Sequence, residues 1–424
     1  MKKTGAGILV IGFALFSMFF GAGNLVFPPY LGLESGKEWL LGFACYYVAD
    51  IGLALLAIFA MLRTDGPEGI TKRIGKVPSA VLMSAIVLCI GPMVAIPRTA
   101  ATTFELSISP TMSSVSPIVF SVLFFAVIVA LCIKENAVVD IVGKFLTPAL
   151  LLGLIVLIIK GVVSPLGPIM SKTAASVPAT GIKAGYQTMD VLGAMVFGII
   201  ILKSAADKGF TGEKEKKLVI GGAGAVAAAA LLVVYMGLTY LGATVSSYYG
   251  PGISRSALVV NIVRSLMGNA GLIIFGIVVA LACVTTAVAL VSSASAFFED
   301  MTGGKLKYKA LVIIICVFSA VVSNIGLDTI VSIASPILDV VYPPTLVLII
   351  LSLFGHKIKN DHIFKMATVG AMITSVLSAV NSYWIHLPLM DSLPLARLGF
   401  DWLIPAVVFG IIGCLMGKGK KASA

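Results

Sequence analysis

Apolar residues dominate the chain in stretches about as long as a membrane is thick, separated by short polar segments. A helix needs about 20 apolar residues to span a bilayer. Twelve stretches reach or approach that length, and we predict each as a transmembrane helix. They cover residues 6–29, 38–62, 78–103, 115–133, 138–160, 185–203, 218–242, 269–297, 310–324, 329–353, 365–385 and 398–416. The pattern predicts an all-α membrane protein whose residues 1–424 form a single integral domain.

The composition leaves no room for a soluble domain of any size. Hydrophobic residues make up 59% of the chain and charged residues 12%, whereas a soluble domain has about 25% charged residues. Lipid cannot satisfy exposed backbone polar groups, so such a chain must fold into helices that satisfy their own. No cleavage-like site follows the first apolar stretch, and we expect no cleavable signal peptide.

Basic residues concentrate on one side of the predicted membrane. With the N-terminus in the cytoplasm, the cytoplasmic segments hold 22 of the 30 lysines and arginines, as the positive-inside rule requires. An even number of spans then puts both termini in the cytoplasm. The net charge of +11 therefore reflects topology, since a nucleic-acid surface would need these charges clustered on one soluble face. We expect the lipid bilayer as the surroundings, with no nucleic acid and no required protein partner.

The first predicted span is interrupted near its middle. Residues 17–29 read SMFFGAGNLVFPP, in which two glycines loosen the helix beside a polar asparagine. Proline lacks an N–H and fits the first turn of a helix better than its interior. We predict a half-helix ending near Phe20 and a second starting near Asn24. Unwound backbone at this depth must face protein or a cavity.

The sixth predicted span carries a second interruption, residues 186–198, which read YQTMDVLGAMVFG and include Asp190. Spans one and six open the two halves of a ten-helix core, and halves of five helices have opposite topology. Paired interrupted helices at corresponding positions indicate a transporter binding site. The alternative is ordinary close packing of small residues, which is common in membrane helices. We predict a first repeat over residues 1–160, an inverted second repeat over 185–353, and two additional helices over 365–416.

Other features narrow the class of protein. Asp50, Arg98 and Asp339 fall inside predicted spans, where a charge indicates either a structural ion pair or a functional site. Arg98 is a candidate gate. The sequence contains no nucleotide-binding GxxxxGK[ST] and no catalytic HExxH or GxSxG. It also lacks a repeated filter-like loop. We therefore expect a transporter with no cofactor, and neither a membrane-embedded enzyme nor a channel.

Three strings resemble the bacterial branched-chain amino acid:cation symporters. They are FALFSMFFGAGNLVFPP at 13–29, GPMVAIPRTAATTFE at 91–105 and TMDVLGAMVFG at 188–198, and the likeness extends over essentially the whole chain. The resemblance implies leucine, isoleucine and valine as substrates, with sodium as the usual coupling ion. It also implies the leucine-transporter fold of five plus five inverted repeats and two trailing helices. A proton-coupled transporter, or one for another amino acid, is the alternative within the same fold.

The resemblance also implies sodium ligands. In that fold an asparagine after a glycine in the first helix holds one sodium ion, and Asn24 follows Gly23 here. A second sodium ion uses first-helix carbonyls and an Ala-x-x-Thr-Ser pattern in the eighth helix, which residues 282–286, ACVTT, match with threonine for serine. The implied sodium ligands are Asn24, Ser17, Phe20, Ala282, Thr285 and Thr286.

We expect the substrate to lie between the two interruptions. Its carboxylate would face the free N–H groups of residues 23–26, where the helix dipole is positive. Its ammonium would meet unwound carbonyls near Phe20 and Met189. Asp190 either assists there, pairs with Arg98, or stays protonated. The predicted substrate-binding residues are Phe20, Gly21, Ala22, Gly23, Asn24, Met189, Asp190, Gly193 and Ala194. We expect a multi-pass protein of the bacterial cytoplasmic (inner) membrane.

Overall fold

The computed structural model describes residues 2–64, 66–112, 114–133, 138–207, 209–210 and 212–417. Lys134, Lys208 and the lysines beyond residue 417, on which part of the predicted topology rests, lie outside these residues. Over the described ranges the chain is helical and contains no β-strand, so the all-α prediction is confirmed. The helices are α1 Lys2–Phe19, α2 Ala22–Ser35, α3 Trp39–Tyr47, α4 Leu53–Thr64, α5 Pro67–Thr71, α6 Lys76–Leu88, α7 Ala95–Thr103, α8 Pro117–Ile133, α9 Val138–Val163, α10 Val177–Thr188, α11 Asp190–Asp207, α12 Glu213–Thr244, α13 Arg255–Met301, α14 Tyr308–Ser323, α15 Leu327–Leu353, α16 Asp361–Tyr383, α17 Pro388–Asp391 and α18 Leu403–Gly417.

Each predicted span is helical over most of its length. Among the described residues, six helical stretches are long and apolar enough to cross a membrane: Ala22–Thr64, Lys76–Ile108, Lys214–Thr244, Arg255–Met301, Leu327–Leu353 and Asp361–Tyr383. Shorter apolar helices cover Gly7–Phe19, Pro117–Ile133, Leu150–Val163, Tyr308–Ser323 and Leu403–Met416. The count of twelve crossings stays a prediction.

The first helix breaks where the sequence predicts. Helix α1 ends at Phe19, Gly21 is extended (φ −112°, ψ −171°), and α2 begins at Ala22, two residues before the expected start. Pro28 and Pro29 consequently lie in the second turn of α2. Because proline has no N–H, the carbonyls four residues earlier lack their usual helical partner. The backbone next to the break therefore keeps unused acceptors.

The second break separates α10 from α11 at a single residue. Met189 adopts a left-handed conformation (φ 68°) and donates its N–H to the carbonyl of Tyr186 at 3.1 Å. A non-glycine residue held there costs about 1–3 kcal/mol, and such strain clusters at functional sites. Asp190 then opens α11, where a negative side chain suits the positive end of the helix dipole.

The third predicted span is less regular than expected. A π-helical turn, Cys89–Met93, contains Pro92 and separates α6 from α7. The second predicted span has a similar turn, Val48–Gly52, between α3 and α4. Turns of this kind are frequent at functional sites. They bring Asp50 and Arg98 into the interior of the bundle, where both are buried.

Helix α2 crosses α12 in direct backbone contact. A Cβ added at Gly32 would lie 1.8 Å from the carbonyl oxygen of Thr239, and one added at Gly242 would lie 1.8 Å from that of Pro29. Small residues at crossings allow membrane helices to pack this closely. The contact fixes the position of α2, and with it the edge of the first break, against α12.

Large apolar side chains cover the outside of the bundle. Val77, Val163 and Val321 are 70–76% exposed, and many other aliphatic residues of the helices are exposed as well. An apolar surface of this extent is incompatible with water and indicates contact with lipid. Buried polar and charged side chains occur inside the bundle. Those at the two helix breaks include Asn24, Arg98, Thr188 and Asp190.

Candidate functional site

The two helix breaks meet at one internal cavity of about 40 Å³, which we call the central cavity. It is lined by Met18, Phe19, Gly21, Ala22, Asn24, Ile90, Ala95, Arg98, Thr99, Thr188, Met189, Asp190, Gly193, Phe197, Thr286 and Leu290. Most of the predicted substrate-binding residues, together with Arg98 and Thr286, are therefore brought together. The cavity has room for about three water molecules, which is less than leucine requires. Binding of the predicted substrate in this cavity would require the lining side chains to move apart.

Asn24 ties three helices together at this cavity. Its side chain is buried, and its amide nitrogen donates to Asp190 Oδ2 at 2.9 Å and to the hydroxyl of Tyr235. The amide oxygen lies 3.8 Å from where a Cβ at Gly21 would stand. With the nitrogen engaged twice, this oxygen remains as an acceptor facing the break in the first helix.

Asp190 belongs to a pair of buried carboxyl groups. It is close enough to Asp50 for a side-chain hydrogen bond between the two, and the Thr188 hydroxyl donates to Asp50 Oδ1 at 2.8 Å. Two carboxylates in contact repel each other when both are ionised. The pair therefore needs a proton or a neighbouring positive charge, and Arg98 lies near enough to supply part of the latter.

Arg98 lies inside the cavity wall and fastens the end of α10. Its Nη1 donates to the carbonyl of Gln187 at 2.6 Å and its Nη2 to that of Thr188 at 3.1 Å. Its guanidinium occupies the space that Gly23 leaves, since a Cβ there would be 2.8 Å from Nη2. Two carbonyls at the second break are thus already engaged by Arg98, which limits what they can offer a substrate ammonium.

Several predicted residues lie beside the cavity without lining it. Phe20 is buried and stacks on Phe16 and Tyr235, with ring centroids 5.5 and 6.1 Å apart. Gly23 supports Arg98, and Ala194 is buried within α11. For these residues any contact with the substrate is through the backbone or follows a rearrangement.

Of the implied sodium ligands on α13, Thr286 faces the break in the first helix. The hydroxyls of Thr285 and Thr286 both donate to the carbonyl of Ala282, at 2.8 and 3.0 Å, as membrane threonines often do. A hydroxyl that donates still has lone pairs to accept with. The Thr286 methyl lies 3.8 Å from the Cβ position of Gly21. Hard oxygen donors of this kind suit a small cation, although the Ala282 carbonyl already accepts two hydroxyls.

The comparison with known families decides which class of protein this is. Residues 4–420 match the family described as "Branched-chain amino acid transport protein". The chain belongs to this family. It is 33% identical over 431 residues to the branched-chain amino acid permease BrnQ of Bacillus subtilis (strain 168), covering 98% of each chain. It is 34% identical over 437 residues to the branched-chain amino acid transport system 2 carrier protein of Pseudomonas aeruginosa, covering 99% of each. This family member is a transporter and not an enzyme, as predicted.

Solved structures show the same fold at low sequence identity. The nucleobase-cation-symport-1 family transporter Mhp1, closed with bromovinylhydantoin bound, aligns with a TM-score of 0.66 at 12% identity, covering 96% of this chain and 92% of that one. MhsT in complex with L-phenylalanine aligns with a TM-score of 0.57 at 17% identity, covering 96% and 98%. A sodium-coupled sialic acid symporter in a substrate-bound, outward-open state gives 0.63 at 16%, covering 96% and 90%. These likenesses support the leucine-transporter fold.

In this transporter a second cluster lies around the middle of α2. The Phe27 ring lies between two guanidinium groups, with Arg98 Cζ at 5.7 Å and Arg255 Cζ at 5.8 Å from its centroid. Arg255 forms an ion pair with Asp328 at 2.6 Å, and the Tyr30 hydroxyl donates to the carbonyl of Pro251. These contacts join α2 to the start of α13 and the start of α15 next to Arg98 of the cavity wall, and we expect them to cover the cavity on that side.

Sequence reasoning missed some members of the site. Tyr235 contributes a buried hydroxyl from an apolar helix, and a phenol in the middle of a predicted span is its only sequence signal. Thr99 and Thr188 also line the cavity, and in the sequence they adjoin Arg98 and Met189, which were predicted site residues. Asp50 carried the general signal of an intramembrane charge, but only its contact with Asp190 connects it to the cavity.

Proposed function

We propose that the chain is a secondary symporter that imports leucine, isoleucine and valine together with sodium by alternating access. The observation that carries this proposal is the polar central cavity at the meeting point of two helix breaks, an arrangement typical of transporter binding sites. The family of the chain supports the class of substrate. Sodium ions, leucine, isoleucine and valine are the only partners that we assign besides lipid.

We assign the protein to the bacterial cytoplasmic membrane with both termini in the cytoplasm, because the basic residues cluster in the segments predicted to lie there. Twelve crossings would comprise a first repeat within 1–160, an inverted repeat within 185–353 and two further helices within 365–416. The breaks at the first and sixth spans occupy corresponding positions in the two repeats, which supports the inverted arrangement.

The substrate would bind between the breaks. Its carboxylate faces the N–H groups in the first turn of α2, where the dipole is positive. Its ammonium lies near the Phe20 carbonyl and Asp190. No hydrogen bond within the described part of the chain ends on that carbonyl. Met18, Ile90, Phe197 and Leu290 supply an apolar wall for the side chain. One methylene in such a pocket is worth about 1–3 kcal/mol, so discrimination among the three substrates is weak.

Sodium would bind at the two places implied by the resemblance. The Asn24 amide oxygen beside the break would offer one ligand, and the second ion would take the hydroxyls of Thr285 and Thr286 together with Ser17 and Phe20, as the resemblance implies. A cation at the second place would lie beside the C-terminal end of α1, where the helix dipole is negative. Binding there would hold α1 against α13 and so link ion occupancy to the conformation of the cavity.

Uptake of labelled leucine into proteoliposomes tests the proposal. We expect an inward sodium gradient to drive accumulation, and a proton gradient without sodium to fail. Accumulation driven by protons alone would favour the proton-coupled alternative, and no leucine uptake under any gradient would favour another substrate.

Asn24→Ala should abolish sodium-dependent uptake while the protein remains monodisperse in detergent. Asn324→Ala is the matched control, because Asn324 donates to Ser121 Oγ and to the Ala320 carbonyl away from the cavity. Near-normal uptake by Asn24→Ala with unchanged sodium dependence would contradict the assignment of Asn24.

A further inference from the structure

We propose that Arg98 binds the carboxylate of the transported amino acid inside the central cavity. The proposal rests on the function proposed above and deepens it. The sequence suggested a gate at this position, and the alternative considered there was an ion pair within the protein. The structure instead puts the guanidinium in the wall of the cavity, between the two breaks.

The first argument concerns the buried charge of Arg98. The side chain is only 4% exposed, and a buried guanidinium is costly unless its charge and its N–H groups are both matched. The carbonyls of Gln187 and Thr188 accept two hydrogen bonds but carry no net charge. Within the described residues Nε has no hydrogen-bond partner. The arginine therefore retains donor capacity, and its charge is balanced only through space, by the Asp50–Asp190 pair, with no direct ion pair among the described residues.

The second argument concerns the neighbours of that charge. Arg98 packs against Gly23 in the first turn of α2, so a positive guanidinium and the positive end of a helix dipole face the same region. The guanidinium and the N-terminal end of α2 are both positive, and an anion between them would stabilise the pair. A helix N-terminus offers N–H donors to such an anion, and a guanidinium matches a carboxylate with two parallel hydrogen bonds.

The third argument concerns the negative group of the same cavity. Asp190 also lines the wall, where Asn24 donates to it and Asp50 adjoins it. The cavity therefore presents a cationic and an anionic side chain to one ligand. An amino acid zwitterion has the complementary pair of charges, with its carboxylate toward Arg98 and its ammonium toward Asp190. A ligand with only one of these charges leaves the other protein charge buried and unmatched.

The position of Arg98 gives its binding a structural consequence. The same guanidinium that meets the carboxylate holds the last carbonyls of α10 and touches the first turn of α2. Carboxylate binding therefore connects the two broken helices through one side chain. Arg98 recognises the substrate and also positions the two breaks relative to each other.

A comparison of ligands tests this role directly. Binding of leucine and of leucinamide, which lacks the carboxylate, is measured by calorimetry on the purified wild-type protein, Arg98→Lys and Arg98→Gln. Hydrogen bonds to charged groups are worth about 1.5–3 kcal/mol each, so we expect wild type to prefer leucine by about 100-fold or more. Arg98→Gln should reduce that preference by about tenfold or more by weakening leucine alone, the remainder coming from the N–H groups of α2, and Arg98→Lys should give an intermediate ratio. Arg264→Gln is the matched control, since Arg264 donates to the exposed carbonyl of Pro110.

The outcomes separate the two proposals. A wild-type protein that does not distinguish leucine from leucinamide, or an Arg98→Gln variant that keeps the full preference, overturns the role of Arg98. Equal loss of both ligands in the variants also overturns it, since that result indicates a purely structural arginine. If Arg98→Gln does not fold, Arg98→Lys and the wild-type ratio decide. Failure of the wild type to bind leucine at all overturns the proposed function, and the Arg98 proposal with it.

Discussion

Gly23 is the position at which the smallest change should have a large effect on transport. In Gly23→Ala the new Cβ would stand 2.8 Å from Arg98 Nη2 and 3.0 Å from Cζ. Ordinary contact between such atoms is about 3.5 Å, so the guanidinium must retreat by about 0.7 Å. The hydrogen bond from Nη2 to the Thr188 carbonyl, now 3.1 Å, is then stretched beyond useful range.

The balance of energies favours a loss of function. A charge-assisted hydrogen bond contributes about 1.5–3 kcal/mol, whereas replacing a helical glycine by alanine gains about 0.5–1 kcal/mol. The net cost is about 0.5–2.5 kcal/mol, and its middle value corresponds to roughly a tenfold change in an equilibrium. We expect half-saturation of leucine uptake at about tenfold higher concentration, with the protein still folded because the alanine itself suits the helix.

The assay is leucine uptake in proteoliposomes at matched protein density. Gly153→Ala is the control, because that glycine lies within α9 with no atom within 4 Å of its added Cβ. Arg98→Lys combined with Gly23→Ala completes a double-mutant cycle. If the clash with the guanidinium is the cause, the two changes should couple by about 1 kcal/mol. Wild-type half-saturation in Gly23→Ala, or strictly additive effects, would refute the reasoning.

Three further predictions follow from the contacts around the cavity. Thr286→Val should raise the sodium concentration for half-maximal uptake severalfold. Thr239→Val, the control, removes a hydroxyl bonded to its own helix and should leave that concentration unchanged. Equal sodium dependence in the two variants contradicts the proposed sodium site. Asp190→Asn should weaken leucine binding about tenfold or more, since a charged partner of the ammonium is lost, and unchanged affinity by calorimetry removes Asp190 from the site. Disrupting the ion pair with Arg255→Gln or Asp328→Asn should increase labelling of an engineered cysteine lining the cavity, and no change in labelling speaks against a covering role.

The sequence predicted helices and helix breaks best where a single local property of the residues determines the backbone conformation. Long apolar runs can only be helices in lipid, so the all-helical fold and the approximate spans were predictable. The glycines on either side of Ala22 marked the first break, and the segment from Tyr186 to Gly193 marked the second. Such signals are local, because the freedom of a glycine backbone depends on the residue itself. The exact start of α2 was not predictable. Gly21 and Gly23 can each interrupt a helix, so the local pattern does not choose between a start at Ala22 and a start at Asn24.

What only the tertiary structure decided is the chemistry inside the cavity. The sequence offered Arg98 as a gate and Asp50 as one of several buried charges, with nothing to say which groups they face. Helix crossings bring Arg98 to Gly23 and to the end of α10, and they bring Asp50 to Asp190. Such contacts join residues distant in the chain through side-chain geometry, which no local periodicity records. Composition and local pattern therefore determined that the chain crosses a membrane and where its helices break, whereas packing alone determined which charges meet at those breaks.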